Sequence, residues 1–224
     1  MQQLFYLLFL KPLFNFLAFL CLVFNNNLGW AILILAIGIR FLIWAWYKKM
    51  FFSQKKLQAI QPKMQEIQKK YKDDPQTANK LVFELFKTEK VNPFGSFGYV
   101  IFQFSLFLGT YWSLINLIKD GWANHLYSFI PKITLNYRFF NILDLRQPSF
   151  TLSFIYFVLT LLTTLIVQKE TSQNKFFLFF PFLILLLYKS FPSALLLFWL
   201  GLSLVGLIQE IYLRRKKMEI KQNK

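Results

Sequence analysis

Arg40 lies inside the apolar run Trp30-Ala31-Ile32-Leu33-Ile34-Leu35-Ala36-Ile37-Gly38-Ile39-Arg40-Phe41-Leu42-Ile43-Trp44. A bilayer crossing needs roughly 20 apolar residues, which residues 28–47 supply. A charge at the centre of such a helix costs about 2.5–3.5 kcal/mol on insertion scales. A chain keeps that cost where the arginine faces a wet cavity or a partner. The plainer alternative, snorkelling to a membrane surface, asks for a long reach, because Arg40 stands about 15 Å from the start of the run at ~1.5 Å per residue. The carboxylates Glu66, Asp73, Asp74, Glu84 and Glu89 all fall in the basic segment 48–91, so no span is expected to offer Arg40 an acid. Water, a carbonyl or an incoming acidic group remain as partners. Such a charge suits transient docking of a polar or acidic segment on its way through.

Other polar residues in the apolar spans include Gln103, Ser105, Thr110, Asn116, Thr160, Thr163, Thr164, Ser203 and Gln209. Interhelical hydrogen bonding is the plain alternative for each of them, and the threonine set reads as packing. No Ser/His/Asp grouping, glycine-rich phosphate loop or metal-ligand spacing is present. The single histidine, His125, reads as a loop residue, and the single cysteine, Cys21, excludes an intrachain disulfide and a multi-cysteine metal site. The expectation is therefore no enzyme, no catalytic residue, no metal and no cofactor.

The elements that must position Arg40 follow from composition and periodicity. The 224 residues are 56% hydrophobic and 20% aromatic, the signature of a polytopic membrane protein. The net charge of +16 concentrates in segment 48–90 and from Arg214 onward, beside apolar spans. Membrane orientation explains that placement first; ribosomal RNA and anionic headgroups are further partners for it, and DNA is not. Residues 4–24 are apolar, but no basic charge precedes them and Lys11-Pro12 interrupts them, so a secretory signal is not expected. A helix starting at Pro12 and lying in the membrane interface is the first reading, and a full extra span the second.

Spans are expected at about 28–47, 97–118, 150–167, 176–188 and 194–212, the fourth being short for a crossing. Between the first two, Leu57, Ile60, Met64, Ile67 and Tyr71 form one helical stripe, and Ala78, Leu81, Val82, Leu85 and Phe86 form a second. Pro62 is expected to start a fresh helix or kink the first. Asp74 reads as an N-cap with Pro75 at the first helical position. The stripes predict a helical hairpin over 50–91. A free amphipathic helix on the membrane surface is the alternative. With an odd number of spans, the hairpin, the turn 168–175 and the tail share one side. Their lysines assign it to the cytosol, with the N-terminus outside. The fold class is an all-α membrane protein, a five-transmembrane helical bundle with a cytosolic helical hairpin and an N-terminal interfacial helix. Its parts are residues 1–27, 28–212 and a basic tail, 213–224.

A span with an inner arginine, a basic hairpin, Asn92-Pro93 and a Gln-bearing span together resemble the YidC/Oxa/Alb membrane protein insertases. The stretch Leu57-Gln58-Ala59-Ile60-Gln61-Pro62-Lys63-Met64-Gln65-Glu66-Ile67-Gln68-Lys69-Lys70-Tyr71-Lys72-Asp73-Asp74 is the most specific match. Gly109-Thr110-Tyr111, Asn141-Ile142-Leu143-Asp144-Leu145, Phe191-Pro192-Ser193-Ala194-Leu195 and Phe198-Trp199 are similar to later family segments, and Lys11-Pro12-Leu13 to the entry of an interfacial helix. The chain departs from the family pattern at Ser96-Phe97-Gly98-Tyr99, Ser105, Ser203 and Ala45, changes that bear on kinks and helix contacts.

The resemblance implies a bundle enclosing a hydrophilic groove, open to cytosol and lipid, that inserts and helps fold nascent integral membrane proteins without nucleotide hydrolysis. Its groove residues would be Arg40, Gln103, Ser105, Trp199, Ser203 and Gln209. Lys63, Glu66, Lys69, Lys70, Tyr71, Lys72 and Asp73 would form a recruitment hairpin. Arg214, Arg215, Lys216 and Lys217 would meet the ribosome. The Sec translocon, the signal recognition particle receptor and membrane lipids complete the implied partners, in the bacterial plasma membrane. A small-solute or ion transporter is the main rival, but no internal repeat supports it. A membrane enzyme ranks lower, for want of a catalytic constellation. A structural subunit of a larger insertase complex is the mildest alternative.

Overall fold

A computed structural model describes residues 2–92, 97–119, 122–168 and 179–222. Helices dominate: α1 Gln2–Phe5, α2 Lys11–Val23, α3 Leu28–Leu42, α4 Trp44–Lys70, α5 Pro75–Thr88, α6 Phe97–Leu117, α7 Phe150–Gln168, α8 Phe179–Leu186 and α9 Ser193–Gln222. The chain divides into two compact units, Met1–Leu42 with Leu106–Lys224, and Ile43–Ser105.

In the first unit the N-terminal helix does not start at Pro12. It starts at Gln2 and passes through a π turn, Tyr6–Leu10, into α2. Proline has no N–H, and its ring crowds the carbonyl one turn back. The π turn widens the helix just before it, with the Lys11 N–H bonding the Tyr6 carbonyl. The stretch Gln3–Val23 is long and apolar enough to cross a membrane. It packs on α3 and also touches the loop that follows α6. The Tyr6 hydroxyl lies 3.1 Å from His125 Nδ1. Asn15, more than two helical turns further on, is buried and donates to the His125 carbonyl at 3.1 Å while accepting the Tyr127 N–H at 2.6 Å. His125 thus sits in a 3-10 turn, Trp122–His125, packed against Tyr6, Phe14 and Trp112.

Asn25 and Asn26 take left-handed φ values of 51° and 59°, turning the chain into α3. There the Asn27 side chain caps the Gly29 and Trp30 N–H groups. The buried face of α3, Leu28, Ala31, Ile32, Leu35, Ala36 and Ile39, repeats at helical spacing and packs on α2 and α9. Gly201 permits a close approach: a Cβ there would stand 3.0 Å from that of Ala36. The helix ends at Leu42, so the expected span 28–47 is not one helix. Ile43 leaves helical geometry at φ −90°, ψ 4°, with no Pro or Gly to announce the break.

Helix α7 packs on α8 and α9. The short α8 is followed by a 3-10 turn, Tyr188–Ser190; the polar turn expected at 168–175 and the start of the fourth span lie almost wholly outside the described residues. The boundary expected at 213 is not structural, because α9 continues to Gln222 and Leu213 is fully buried. A two-stranded ribbon, β1 Arg138–Phe139 and β2 Leu143–Asp144, interrupts the all-α pattern. Leu28 N–H bonds the Asn136 carbonyl and Ala194 N–H the Leu145 carbonyl, so this ribbon segment ties together the starts of α3 and α9.

In the second unit α4 runs unbroken through Pro62, contrary to the expected fresh start, and packs on α5. Asp74 accepts the Thr77 N–H at 3.1 Å, with Pro75 at the first helical position. Ile60 and Ala78 are buried at the seam, and Lys63 pairs with Glu89 at 2.7 Å. Pro93, the second half of the expected hairpin terminator, lies outside the described residues.

Candidate functional site: an arginine seated on the last helix

Arg40 occupies the last turn of α3, not the centre of a straight span. A positive charge there is favoured by the helix dipole, which lowers the cost of keeping it. Its Nε donates to the Leu202 carbonyl of α9 at 2.9 Å. That carbonyl belongs to a helix interior, where a side chain four residues on would normally crowd it. Here the residue is Gly206, and a Cβ built on it would meet Arg40 Nη2 at 2.6 Å and Cζ at 2.9 Å. The glycine is the seat of the guanidinium. The Arg40 carbonyl in turn accepts from Gln209 Nε2 at 3.4 Å. Of the partners the sequence left open, a carbonyl is one that the fold supplies.

Around this seat the helices bring together further polar groups. Tyr156 of α7 is buried beside Ser203 and Arg40. Trp199 stacks on Phe107 with centroids 5.3 Å apart and lies beside Tyr156 at 6.1 Å. Trp199 Nε1 and Gln209 Oε1 are buried with no hydrogen-bond partner among the described residues. Such groups ordinarily bond water or a ligand. Arg40, Trp199, Ser203 and Gln209 therefore share one unit. Gln103 and Ser105 belong to the other. There the Gln103 Oε1 is likewise buried without a described partner, and the Ser105 hydroxyl bonds its own helix at Ile101. The hydroxyls of Thr160, Thr163 and Thr164 each bond a carbonyl four residues back in α7.

The sequence reading missed three residues. Gly206 and Tyr156 carried no local signal. Glu210 did: it is an acid inside the expected span 194–212, and it overturns the expectation that no span holds a carboxylate. Its side chain is 9% exposed and pairs with Arg214 at 2.7 Å. Arg214 is thereby engaged in the bundle, while Arg215 is exposed; the side chains of Lys216 and Lys217 lie outside the described residues. On the hairpin, Glu66, Lys69, Lys70, Lys72 and Asp73 are exposed and Tyr71 is half-buried. Hydrogen bonding from Thr77 holds the Asp74 carboxyl below its usual range.

The sequence model of the family described as 60Kd inner membrane protein matches residues 19–222. A protein named membrane protein insertase YidC from Thioalkalivibrio sulfidiphilus is 31% identical over 214 residues, covering 92% of this chain and 35% of the relative. Its namesake from Wolinella succinogenes is 31% identical over 224 residues, 96% of this chain and 38% of the relative. The chain thus spans little more than a third of these relatives' length. A crystal structure described as an active YidC insertase with its first transmembrane domain resolved superposes with a TM-score of 0.60 at 19% identity, over 93% of this chain and 46% of that one. That likeness is one of fold.

Proposed function

Since the chain belongs to the 60Kd inner membrane protein family, we infer that it works as a membrane protein insertase and chaperone without nucleotide hydrolysis. One observation carries the reading to particular residues: Arg40 is seated among Tyr156, Ser203 and Gln209 inside an apolar bundle. A polar interior at that place hydrates a short polar segment of a nascent membrane protein partway into the bilayer. The hydrocarbon left to cross is thinner. The substrate's apolar helix then partitions sideways into lipid, driven by ~25 cal/mol per Å² of apolar surface buried. Arg40 attracts acidic segments, Trp199 and Gln209 offer polar atoms to water or substrate, and Gln103 and Ser105 are the further groove residues proposed.

The proposed arrangement is five spans in the bacterial plasma membrane, with the N-terminus outside and hairpin and tail in the cytosol. The concentration of lysine in 48–91 supports the orientation. The double grip of Tyr6 and Asn15 on His125 supports an N-terminal helix lying along the outer surface. In the cytosol Lys63, Glu66, Lys69, Lys70, Tyr71, Lys72 and Asp73 recruit substrate, and Arg215, Lys216 and Lys217 attract ribosomal RNA phosphates. The Sec translocon and the signal recognition particle receptor are the partners this role calls for. Depletion of the protein, followed by protease protection of newly made small membrane proteins, tests the reading: their translocated segments should lose protection. Unchanged protection would remove the insertase role.

A further inference from the structure

The ribbon between α6 and α7 ends in an apolar tip that the insertase reading does not use. Ile142 N–H bonds the Phe139 carbonyl at 3.2 Å, closing a tight turn in which Phe140 and Asn141 take φ values of 51° and 58°. Turns with two left-handed central residues favour Gly, Asn and Asp. Asn141 suits its place, but a bulky aromatic at Phe140 is out of keeping with it. The strain does not serve to bury the ring. Phe140 remains 65% exposed and Ile142 90% exposed, although the rings of Phe139 and of Trp30, itself 42% exposed, lie against Phe140 at centroid distances of 4.4 and 5.4 Å.

The tip has a fixed address. The ribbon segment is hydrogen-bonded to the starts of α3 and α9 through Asn136 and Leu145. Gly29, at the start of α3, lies so close to the Phe139 ring that any Cβ there would collide with it. The tip therefore stands at the ends of two apolar helices, the level at which aromatic side chains meet the headgroup region. The ribbon segment 138–146 carries two arginines against one aspartate. Arg146 is paired with Asp144, whereas Arg138 is exposed and feels that carboxylate only through space. An apolar point flanked by basic charge suits a surface of anionic lipid.

We propose that the tip formed by Phe140 and Ile142, with Trp30 behind it, inserts into the bilayer interface and anchors the ends of α3 and α9 to the lipid headgroup layer. The inference does not depend on the insertase role. An environment-sensitive fluorophore on Ile142→Cys tests it in vesicles of phosphatidylethanolamine and phosphatidylglycerol. Thr134→Cys in the same loop gives a water-exposed reference, and the unsubstituted chain, whose Cys21 is buried, gives the background. The expected result is blue-shifted emission at Ile142→Cys, with strong quenching by lipid-borne nitroxide and iodide quenching several-fold weaker than at Thr134→Cys. Iodide quenching equal to that at Thr134→Cys would put the tip in water and overturn the proposal. Protection from both quenchers would mean that protein covers the tip, and would overturn it equally.

Discussion

Arg40 Nε and the Leu202 carbonyl oxygen are 2.9 Å apart, so the charged residue of α3 is hydrogen-bonded to the backbone of α9. Gly206, one turn further along α9, leaves room for the guanidinium. The arginine is at once a brace between two helices and a charge held in the interior.

Gly206→Ala separates these roles. The new Cβ would stand 2.6 Å from Arg40 Nη2, the far end of a flexible side chain, so the guanidinium swings away rather than the helices parting. Removing a glycine from a helix interior adds about 0.5–1 kcal/mol, which offsets part of the lost hydrogen bond. The expected outcome is a melting temperature close to wild type with impaired insertion of acidic-tailed substrates. Full activity would show that the position of the guanidinium is unimportant.

Asn15 clasps the segment 122–127 with two hydrogen bonds, to His125 and Tyr127, and donates a third to the Lys11 carbonyl of its own helix. Asn15→Ala leaves the half-buried Tyr127 N–H without its acceptor, at a cost of about 1 kcal/mol. Thermal melting should fall, and protease should cut near 122–127 sooner. Unchanged melting and cleavage would mean that the clasp is replaced by water.

Arg214 and Arg215 are neighbours with different fates. Arg214→Gln removes the ion pair with Glu210 at a nearly buried site and should cost of order 3 kcal/mol. Arg215→Gln, on the exposed side, should stay within about 0.5 kcal/mol and instead weaken salt-sensitive ribosome co-sedimentation. Equal effects of the two on melting would contradict the assigned pairing.

Asp74 makes the hairpin tip acid-sensitive. Its folded carboxyl is held below the ordinary 3.8 by Thr77. The stability it contributes is therefore present above that value and lost as pH falls through the lower, folded one. Cleavage of the tip by an acid-active protease should rise over that window in wild type. It should stay flat in Asp74→Asn, which keeps a capping oxygen without the titration. A parallel rise in both would point to another group.

Much of this was legible in the sequence, for identifiable reasons. The hairpin followed from two stripes of period 3.6 and an Asp-Pro start, signals that are local. The partner of Arg40 was not legible, because Leu202 offers a backbone carbonyl and Gly206 offers an absence; neither is a side-chain pattern. The break at Ile43 has no Pro or Gly to mark it. At Pro12 the local rule misled, since a π turn absorbed the proline that was expected to begin the helix. Glu210 was in plain view, four residues before Arg214, the spacing of a helical ion pair.

The most direct measurement is insertion by the purified protein in vesicles, comparing a substrate with an acidic translocated tail to the same substrate with a neutral one. Arg40→Ala removes a hydrogen bond from a charged donor, worth about 1.5–3 kcal/mol, so assays are run below the melting point of every variant. With a charge acting in the interior, Arg40→Ala loses the acidic-tailed substrate far more than the neutral one, and Arg40→Lys, which keeps the charge but not the Nε donor, recovers part of that difference. Equal loss of both substrates, tracking the fall in melting temperature, would leave Arg40 as a brace alone and contradict a charged, substrate-receiving interior.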